Sequence, residues 1–534
     1  MSEFITLQVG QCGNQIGEAF WKLALREHGI QTLRNTNPQL PLGHSHSKLF
    51  DAFHSFFYIP ENNVSKLRTL ADLETFKIKA RAVCIDMEDS VVARFQTGSL
   101  RHLFDETCLI TNYPGSGNNW AEGFYTHGGR YKDRIVEAVR KATEKCDHLH
   151  GFLMLFSLGG GTGSGLGCAT LGFLEDSFPH VDSSLSQDSN LCLLVNNYRE
   201  LSATHVLART LTNLATQSLA HTLASLAESL DPDNCMDVVY TPWIQGVVCY
   251  RGQSVRRVTG NEDVVTAPYN VTLATRELSQ HATCVFPVHN KALMDICDRL
   301  RSGVESTETA KFIATCKPFH DMNSIIVNML LHLTSGSRFP GCLNVDMNEL
   351  STNMVPFPGL HFISSGFSPM MLRKKHVSLD SRHGDLLNGA ISRNNQLLKV
   401  DPMSGTLMSS AIIGRGALSM TDMRTNVAKL YERGRFVPWG RDAIKVGLCS
   451  VPPAVHPSAL LCLLNSSNMS TLFQDVAGKF NRLYRRGAHV HHYLSVSEFE
   501  KDNFTESINS LMETATKYSS METVKPIFRP RLVV

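Results

Sequence analysis

A chain of 534 residues has room for about three domains or subdomains, so a single small module is excluded. Its apolar fraction of 43% and charged fraction of 19% are ordinary for a globular protein, and 51 Lys and Arg against 49 Asp and Glu leave a net charge of only +2. That balance argues against electrostatic capture of nucleic acid or of an acidic membrane.

The N-terminus, MSEFITLQVGQCGNQIG, has no basic region followed by a long apolar run and a small-residue cleavage site. The 14 Cys contain no CxxC pair, so a secreted disulfide protein is not expected. Cys12, Cys84, Cys168 and Cys284 sit in apolar or Gly-rich surroundings and are expected as buried free thiols in a reducing compartment. The longest apolar runs, such as residues 459–464, fall far short of the ~20 residues of a membrane span.

Residues 4–9 read as a short apolar strand that runs into Gly10-Gln11-Cys12-Gly13, after which Ile16, Ala19, Phe20, Leu23 and Leu25 recur at helical spacing. The same strand-then-loop pattern returns at residues 80–87, 109–111 and 152–158, and the last runs into Gly159-Gly160-Gly161. Alternating strands and helices predict a parallel sheet covered on both faces, with a ligand beyond the carboxyl ends of its strands. Residues 182–254 change character. A polar run leads into an Ala/Leu/Thr-rich stretch at 201–230 and closes on Asp231-Pro232-Asp233-Asn234, so this segment is read as an insertion. The α/β rhythm resumes at Val264, a long apolar helix is expected at 322–333, strands and helices mix from about residue 360, and 469–520 is helical in composition but broken at Gly487.

The strongest local signal is Phe152-Leu-Met-Leu-Phe-Ser-Leu-Gly-Gly-Gly-Thr-Gly-Ser-Gly165, a buried strand opening into a glycine loop before a helix. Glycines let backbone N–H groups approach an oxyanion, and the helix adds its positive dipole end, so the loop suits a phosphate; a purely structural glycine loop is the alternative. Neither GxGxxG nor GxxxxGK[ST] is present, which removes the dinucleotide fingerprint and the P-loop. The missing fingerprint also disfavours a dinucleotide-dependent oxidoreductase.

Gly159 to Gly165 reads GGGTGSG and residues 10–17 read GQCGNQIG. On these two motifs, in this order, the chain resembles the tubulin superfamily. The resemblance extends through Arg81-Ala-Val-Cys-Ile-Asp-Met-Glu88, Gly115-Ser-Gly-Asn-Asn-Trp120, Ala267-Pro-Tyr-Asn270, Leu343-Asn-Val-Asp346 and Val355-Pro-Phe-Pro358. Within the superfamily, residues 20–28, 115–119 and 485–493 are most similar to the epsilon branch. The resemblance implies an α/β fold: a Rossmann-like parallel-sheet GTPase domain at 1–315, a core helix at 316–335, a mixed α/β intermediate domain at 336–465 and C-terminal helices at 466–534.

It also implies a GTP site. Gly10, Gln11, Cys12 and Gln15 would line its phosphate and base side, and Asp86 and Glu88 would lie near the triphosphate and its Mg, Glu88 as metal ligand; solvated acids after a strand are the alternative. Gly117 and Asn118 would touch the terminal phosphates, and Ser157, Gly160, Gly161, Thr162 and Gly163 would form the main cradle. Asp263 fits a ribose-loop acid. Asn290 and Asn323 would read the guanine, since an amide both donates and accepts. Phe319 would lie against the base, or else serve as an ordinary core Phe.

Glu349 matches the glutamate with which alpha-tubulin acts on GTP held by the next subunit; a surface Glu at a helix start is the alternative. Asp346 would help shape that loop. GTP hydrolysis would then require two subunits. The implied setting is the cytoplasm and cytoskeleton, at centrosome, centriole or basal body, in building triplet microtubules with other tubulins, including delta-tubulin, and centriolar proteins. A nucleotide-binding centrosomal scaffold that does not hydrolyse GTP is the competing expectation.

Ala267 stands where many tubulins have a glutamate near the ribose. The family expects a sheet strand inside the segment read as an insertion; residues 255–260 are poor for it, and 191–195 or 247–250 are the two candidates, unless the segment is a retained intron. The chain ends basic and apolar, from Val524 to Val534, where alpha- and beta-tubulins carry an acidic tail. Three His clusters, His44/His46, His148/His150 and His489/His491/His492, lack companion Cys or carboxylates at ligand spacing and are not read as metal sites.

Overall fold

The computed structural model of the chain describes residues 2–30, 52–60, 67, 69–178, 244–250 (backbone), 264–302, 319–341, 343–370, 386–440, 443–454 and 456–524. Six strands form the first sheet: β1 (Glu3–Val9), β2 (Ala82–Asp86), β3 (Leu109–Thr111), β4 (Leu149–Ser157), β5 (Ile244–Tyr250) and β6 (Cys284–His289). Their spatial order is β3-β2-β1-β4-β5-β6 and every pairing is parallel. All six carboxyl ends therefore lie on one edge.

Side chains alternate across a strand with a period of two, and the strands sort their residues accordingly. Phe4, Ala82, Cys84, Leu153 and Leu155 join one core, together with helix α1 (Gly10–Glu27) and the central helix α7 (His320–Leu333). Ile5, Leu7, Val83, Ile85, Met154 and Phe156 join the other. Against that second face pack α3 (Gly128–Thr143), α4 (Gly167–Ser177) and α5 (Ala267–His281), and behind them α10 (Met469–Tyr484) and α12 (Lys501–Ser520). Cys12, Cys84, Cys168 and Cys284 are buried and form no disulfide among the described residues.

The segment read as an insertion needs correction at its end. Ile244–Tyr250 lies within 182–254, yet it pairs with β4 on one side and β6 on the other. It fills the gap between those two strands and satisfies their backbone groups, and Ile244, Val247 and Val248 are strand-forming residues. The candidate at 247–250 is thus the missing strand. The candidate at 191–195, the helical stretch at 201–230, the weak strand at 255–260 and the chain end beyond residue 524 lie outside the described residues.

Helix α6 (Asn290–Ser302) follows β6, and α8 (Met347–Met354) opens the second part of the chain. There Ser364–Ser368, Thr406–Gly416, Ile444–Cys449 and Ser458–Ser466 form a mixed sheet with the two-residue strand Arg435–Phe436. The second part abuts β6 through Val285 N–H to His361 O at 2.9 Å and Ile363 N–H to Val285 O at 2.8 Å. A buried ion cluster joins the two parts at depth: Glu27 at the end of α1 accepts from Arg338 at 2.7 Å and from Arg415 at 3.1 Å. The C-terminal helical run breaks at Gly487, whose φ of +59° lies in the left-handed region that suits glycine, and resumes as α11 (Val490–Leu494) and then α12.

Candidate functional site

Four loops converge beyond the carboxyl ends of β1, β2, β3 and β4. Helix α1 starts at Gly10 directly after β1, and its N-cap residue, Val9, has no side-chain acceptor to spend its first N–H groups. Gly10 has φ +72°, and a Cβ there would lie 3.0 Å from Gly163 N, so only glycine lets the first and fourth loops approach this closely. Asn14, from the first turns of α1, donates to Gly10 O at 3.0 Å and to Ile85 O at 3.1 Å and so ties the first loop to the second.

The second loop carries Asp86 and Glu88. Asp86 is 1% exposed, and its Oδ2 has no hydrogen-bond partner among the described residues. Burial, and then the neighbouring Glu88 charge, push its carboxyl up to about 8, against the opposing pull of the Glu88 and Met87 backbone N–H groups. Glu88 accepts a hydrogen bond from Gln11 Nε2. A sealed carboxyl with an orphan oxygen beside a second carboxylate is a hard-oxygen donor set, which suits a divalent cation such as Mg that retains several waters.

The third loop places Gly117 and Asn118 at successive positive φ values, +54° and +58°, and no atom lies within 4 Å of where a Gly117 Cβ would stand. Ser116 Oγ meets Thr162 Oγ1 of the fourth loop at 3.0 Å. In that fourth loop, a Cβ on Gly161 would meet Asn119 N at 2.7 Å and one on Gly163 would meet Ser157 Oγ at 2.7 Å, so both glycines are required by close packing. Around Gly160, by contrast, the nearest atoms to an added Cβ are Ser157 Oγ at 3.7 Å and Asn118 Oδ1 at 3.9 Å, which leaves open space facing the loop backbone. Cys12, in the first turn of α1, is buried.

Asn270 on α5 locks these loops together, although sequence reasoning gave it no role. Its Nδ2 donates to Asn118 O at 2.8 Å and to Gly159 O at 2.9 Å; its Oδ1 accepts from Trp120 N at 3.1 Å and from Tyr493 OH at 2.5 Å. The amide is thereby fully used. Pro268 at the start of α5 was the only local signal that such a position belongs to a first helical turn.

The residues expected on the base side come from α1, α6 and α7, which pack against one another along α7. Gln15, Asn290 and Asn323 are half-buried, and their side chains form no hydrogen bond among the described residues. Three unspent amides offer both donors and acceptors to a purine edge. Phe319 precedes α7 with φ +69°, and its backbone carbonyl accepts from Asn323 N at 2.8 Å. Ala267 is buried at the start of α5, while Asp263 lies outside the described residues.

Glu349 is not part of this assembly. It sits in the first turn of α8, where Asp346 Oδ1 accepts from its N–H at 2.7 Å, and its own carboxylate pairs with Lys445. Ser2 donates to Asp346 Oδ2 at 3.3 Å, and Asn348 donates to His150 O at 3.0 Å, next to the starts of β1 and β4. Helix α8 therefore lies at the amino edge of the sheet. The seven residues of β1 put about 20 Å between the two edges. Beyond the C-terminal end of α8 the chain exposes Phe357 (48%), which meets the exposed Trp439 (39%) edge to face at 5.7 Å.

Among the described residues no group of three or more His, Cys, Asp or Glu is poised for a metal, and His44 and His46 lie outside them. His489 stacks on His492 and His491 lies tilted against it, next to the third loop, where His492 O accepts from Asn119 Nδ2 at 2.8 Å. No helix among the described residues is long and apolar enough to cross a membrane.

Residues 3–185 match the Tubulin/FtsZ family GTPase domain and residues 358–477 match the Tubulin C-terminal domain. The tubulin epsilon chain of Mus musculus is 35% identical over 99% of this chain and 98% of its own length, and that of Homo sapiens is 35% identical over 98% and 97%. The tubulin beta chain of Aspergillus fumigatus is 27% identical over 98% and 95%.

Proposed function

From the premise that this chain belongs to the tubulin family, as a GTP-binding cytoskeletal protein most like the epsilon chains, we propose how it holds its nucleotide and that it hydrolyses GTP only across a subunit interface. The convergence of four loops, with Gly10 so close to Gly163 that an added Cβ would lie 3.0 Å from Gly163 N, carries the reading. Backbone N–H groups of Gly160, Gly161, Thr162 and Gly163, with those opening α1 at Gly10, Gln11 and Cys12, receive phosphate oxygens, and Ser157 supports the cradle. Gly117 and Asn118 close over the terminal phosphate. Asp86 and Glu88 hold Mg, which when bound neutralises phosphate charge. Gln15, Asn290 and Asn323 hydrogen-bond the guanine, Phe319 flanks it, and Asp263 takes the ribose.

Glu349 lies at the far edge of the sheet from these loops and has no route to the nucleotide of its own chain. In a head-to-tail stack the amino edge of one subunit meets the loop edge of the next. There Glu349 orients a water for in-line attack on the terminal phosphoryl group held by its neighbour.

We assign the chain to the cytoplasm and cytoskeleton, at centrioles or basal bodies, acting in triplet microtubule assembly or stability with other tubulins, including delta-tubulin, and with centriolar proteins. A second reading, a nucleotide-binding scaffold that does not hydrolyse GTP, is favoured by the Glu349–Lys445 ion pair, which occupies the carboxylate. GTP turnover as a function of protein concentration separates the two readings. Turnover that rises more steeply than concentration in the wild type and is lost in Glu349→Ala supports hydrolysis across an interface. Identical turnover in both removes it.

A further inference from the structure

Glu349 is held at its backbone before its side chain is considered. Asp346 caps α8 by accepting from Glu349 N–H, and one turn further on Asn353 Nδ2 donates to Glu349 O at 2.6 Å. The second sheet supplies the neighbouring strand, Ile444–Cys449. Side chains alternate along it: Ile444, Val446 and Leu448 pack against that sheet's own core, whereas Gly447 lies against Val345, where an added Cβ would meet Cγ2 at 3.0 Å. Lys445 shares the Gly447 face. Leu448 N–H donates to Leu343 O at 2.9 Å and ties the strand to the chain leading into α8. Lys445 therefore arrives beside Glu349 by strand register.

Lys445 Nζ bonds Glu349 Oε1. Glu349 Oε2 makes no hydrogen bond among the described residues, and neither does Lys445 with any other group. The two side chains are 43% and 26% exposed, so the pair faces solvent at the amino edge. A pair this exposed adds little to stability. Its effect is on orientation: one carboxylate oxygen is tethered and the other is presented. A neighbour that covers the pair removes water from it and strengthens the tether.

We propose that Lys445 is a positioning residue for Glu349, holding Oε1 so that Oε2 meets the water that attacks GTP on the next subunit. The proposal rests on the reading of hydrolysis across an interface. In that step the water oxygen forms a bond to the terminal phosphorus as the bond to the bridging oxygen breaks and GDP leaves. The water proton passes to Oε2 and then to the inorganic phosphate, which restores the carboxylate.

GTP turnover of the full-length protein, followed against protein concentration, tests it in the wild type, Glu349→Ala, Lys445→Met and Lys445→Arg. Lys445→Met is expected to lower the plateau rate about tenfold, as a misplaced catalytic group does. The KM for GTP, the bound nucleotide and the protein concentration at which turnover begins to rise should be unchanged, because Lys445 stands far from the nucleotide of its own chain. Lys445→Arg, which keeps a cationic donor, is expected to restore most of the rate. A plateau equal to wild type in Lys445→Met, with turnover lost in Glu349→Ala, overturns the proposal and leaves the hydrolysis reading standing. An onset shifted to higher concentration with an undiminished plateau also overturns it, since Lys445 would then serve docking. No turnover in the wild type, or turnover unaffected by Glu349→Ala, overturns the hydrolysis reading and this proposal with it.

Discussion

The Tyr493 hydroxyl donates to Asn270 Oδ1 at 2.5 Å, so a residue of the C-terminal helical run completes the amide that fastens two loops of the nucleotide site. Both partners are buried, and a lost buried hydrogen bond costs about 1–3 kcal/mol when its partner is left unsatisfied. Asn270 Oδ1 keeps its bond from Trp120 N, so Tyr493→Phe is expected to lower stability by only about 0.5–1.5 kcal/mol, the net worth of one hydrogen bond, and to speed nucleotide loss. Asn270→Ala, which also frees Asn118 O and Gly159 O, is expected to do more on both counts. Thermal midpoints and the off-rate of labelled GTP from the two variants check the order.

Removing one member of the buried Glu27–Arg338–Arg415 cluster leaves uncompensated charge in the interior, at a cost of about 3–5 kcal/mol. Glu27→Gln is expected to unfold at correspondingly lower urea, with the second sheet loosened from the first. Burial alone would raise the Glu27 carboxyl, but Arg415 and Arg338 bring it down to about 2 from an ordinary 4.5. A depressed carboxyl stabilises the fold above its unfolded value and loses that contribution as pH falls through the folded one. Wild-type stability should therefore fall between pH 4.5 and 2, and the decline should be shallower in Glu27→Gln.

Asp86→Asn keeps the shape of the second loop but removes a carboxyl that would ionise to hold a divalent cation. Nucleotide retention is expected to drop at least tenfold in the presence of Mg and to change little in excess chelator, with Glu88→Gln giving a smaller loss. Equilibrium binding of labelled GTP with and without Mg is the measurement.

Gly161→Ala puts a methyl group 2.7 Å from Asn119 N, so the third and fourth loops must part. Loss of bound nucleotide is expected without loss of the secondary structure seen by far-UV circular dichroism. Gly129→Ala, at an exposed position of α3 where an added Cβ meets nothing within 4 Å, is the matched control.

The parallel sheet was legible because four of its strands are apolar on both faces and each of those runs into a loop of small or polar residues. The phosphate loops were legible for a related reason: Gly10, Gly161 and Gly163 stand where a Cβ would collide with another backbone, and that requirement is local enough to leave a motif. The strand Ile244–Tyr250 was harder to place, because its neighbours β4 and β6 are far from it in sequence and only the empty position in the sheet selects it. Asn270 reaches Asn118 across 152 positions and Tyr493 across 223, and Arg415 reaches Glu27 across 388. No periodicity or spacing encodes such contacts. The position of Glu349 at the opposite sheet edge likewise follows from tertiary contacts to Ser2 and His150 rather than from its own surroundings in sequence.

The most direct measurement is the identity of the nucleotide released when the purified full-length protein is denatured. Close to one GTP or GDP per chain, exchangeable with labelled GTP and absent from Gly161→Ala, is the predicted result. A folded protein that releases no guanine nucleotide, and does not take up labelled GTP in the presence of Mg, would contradict the account.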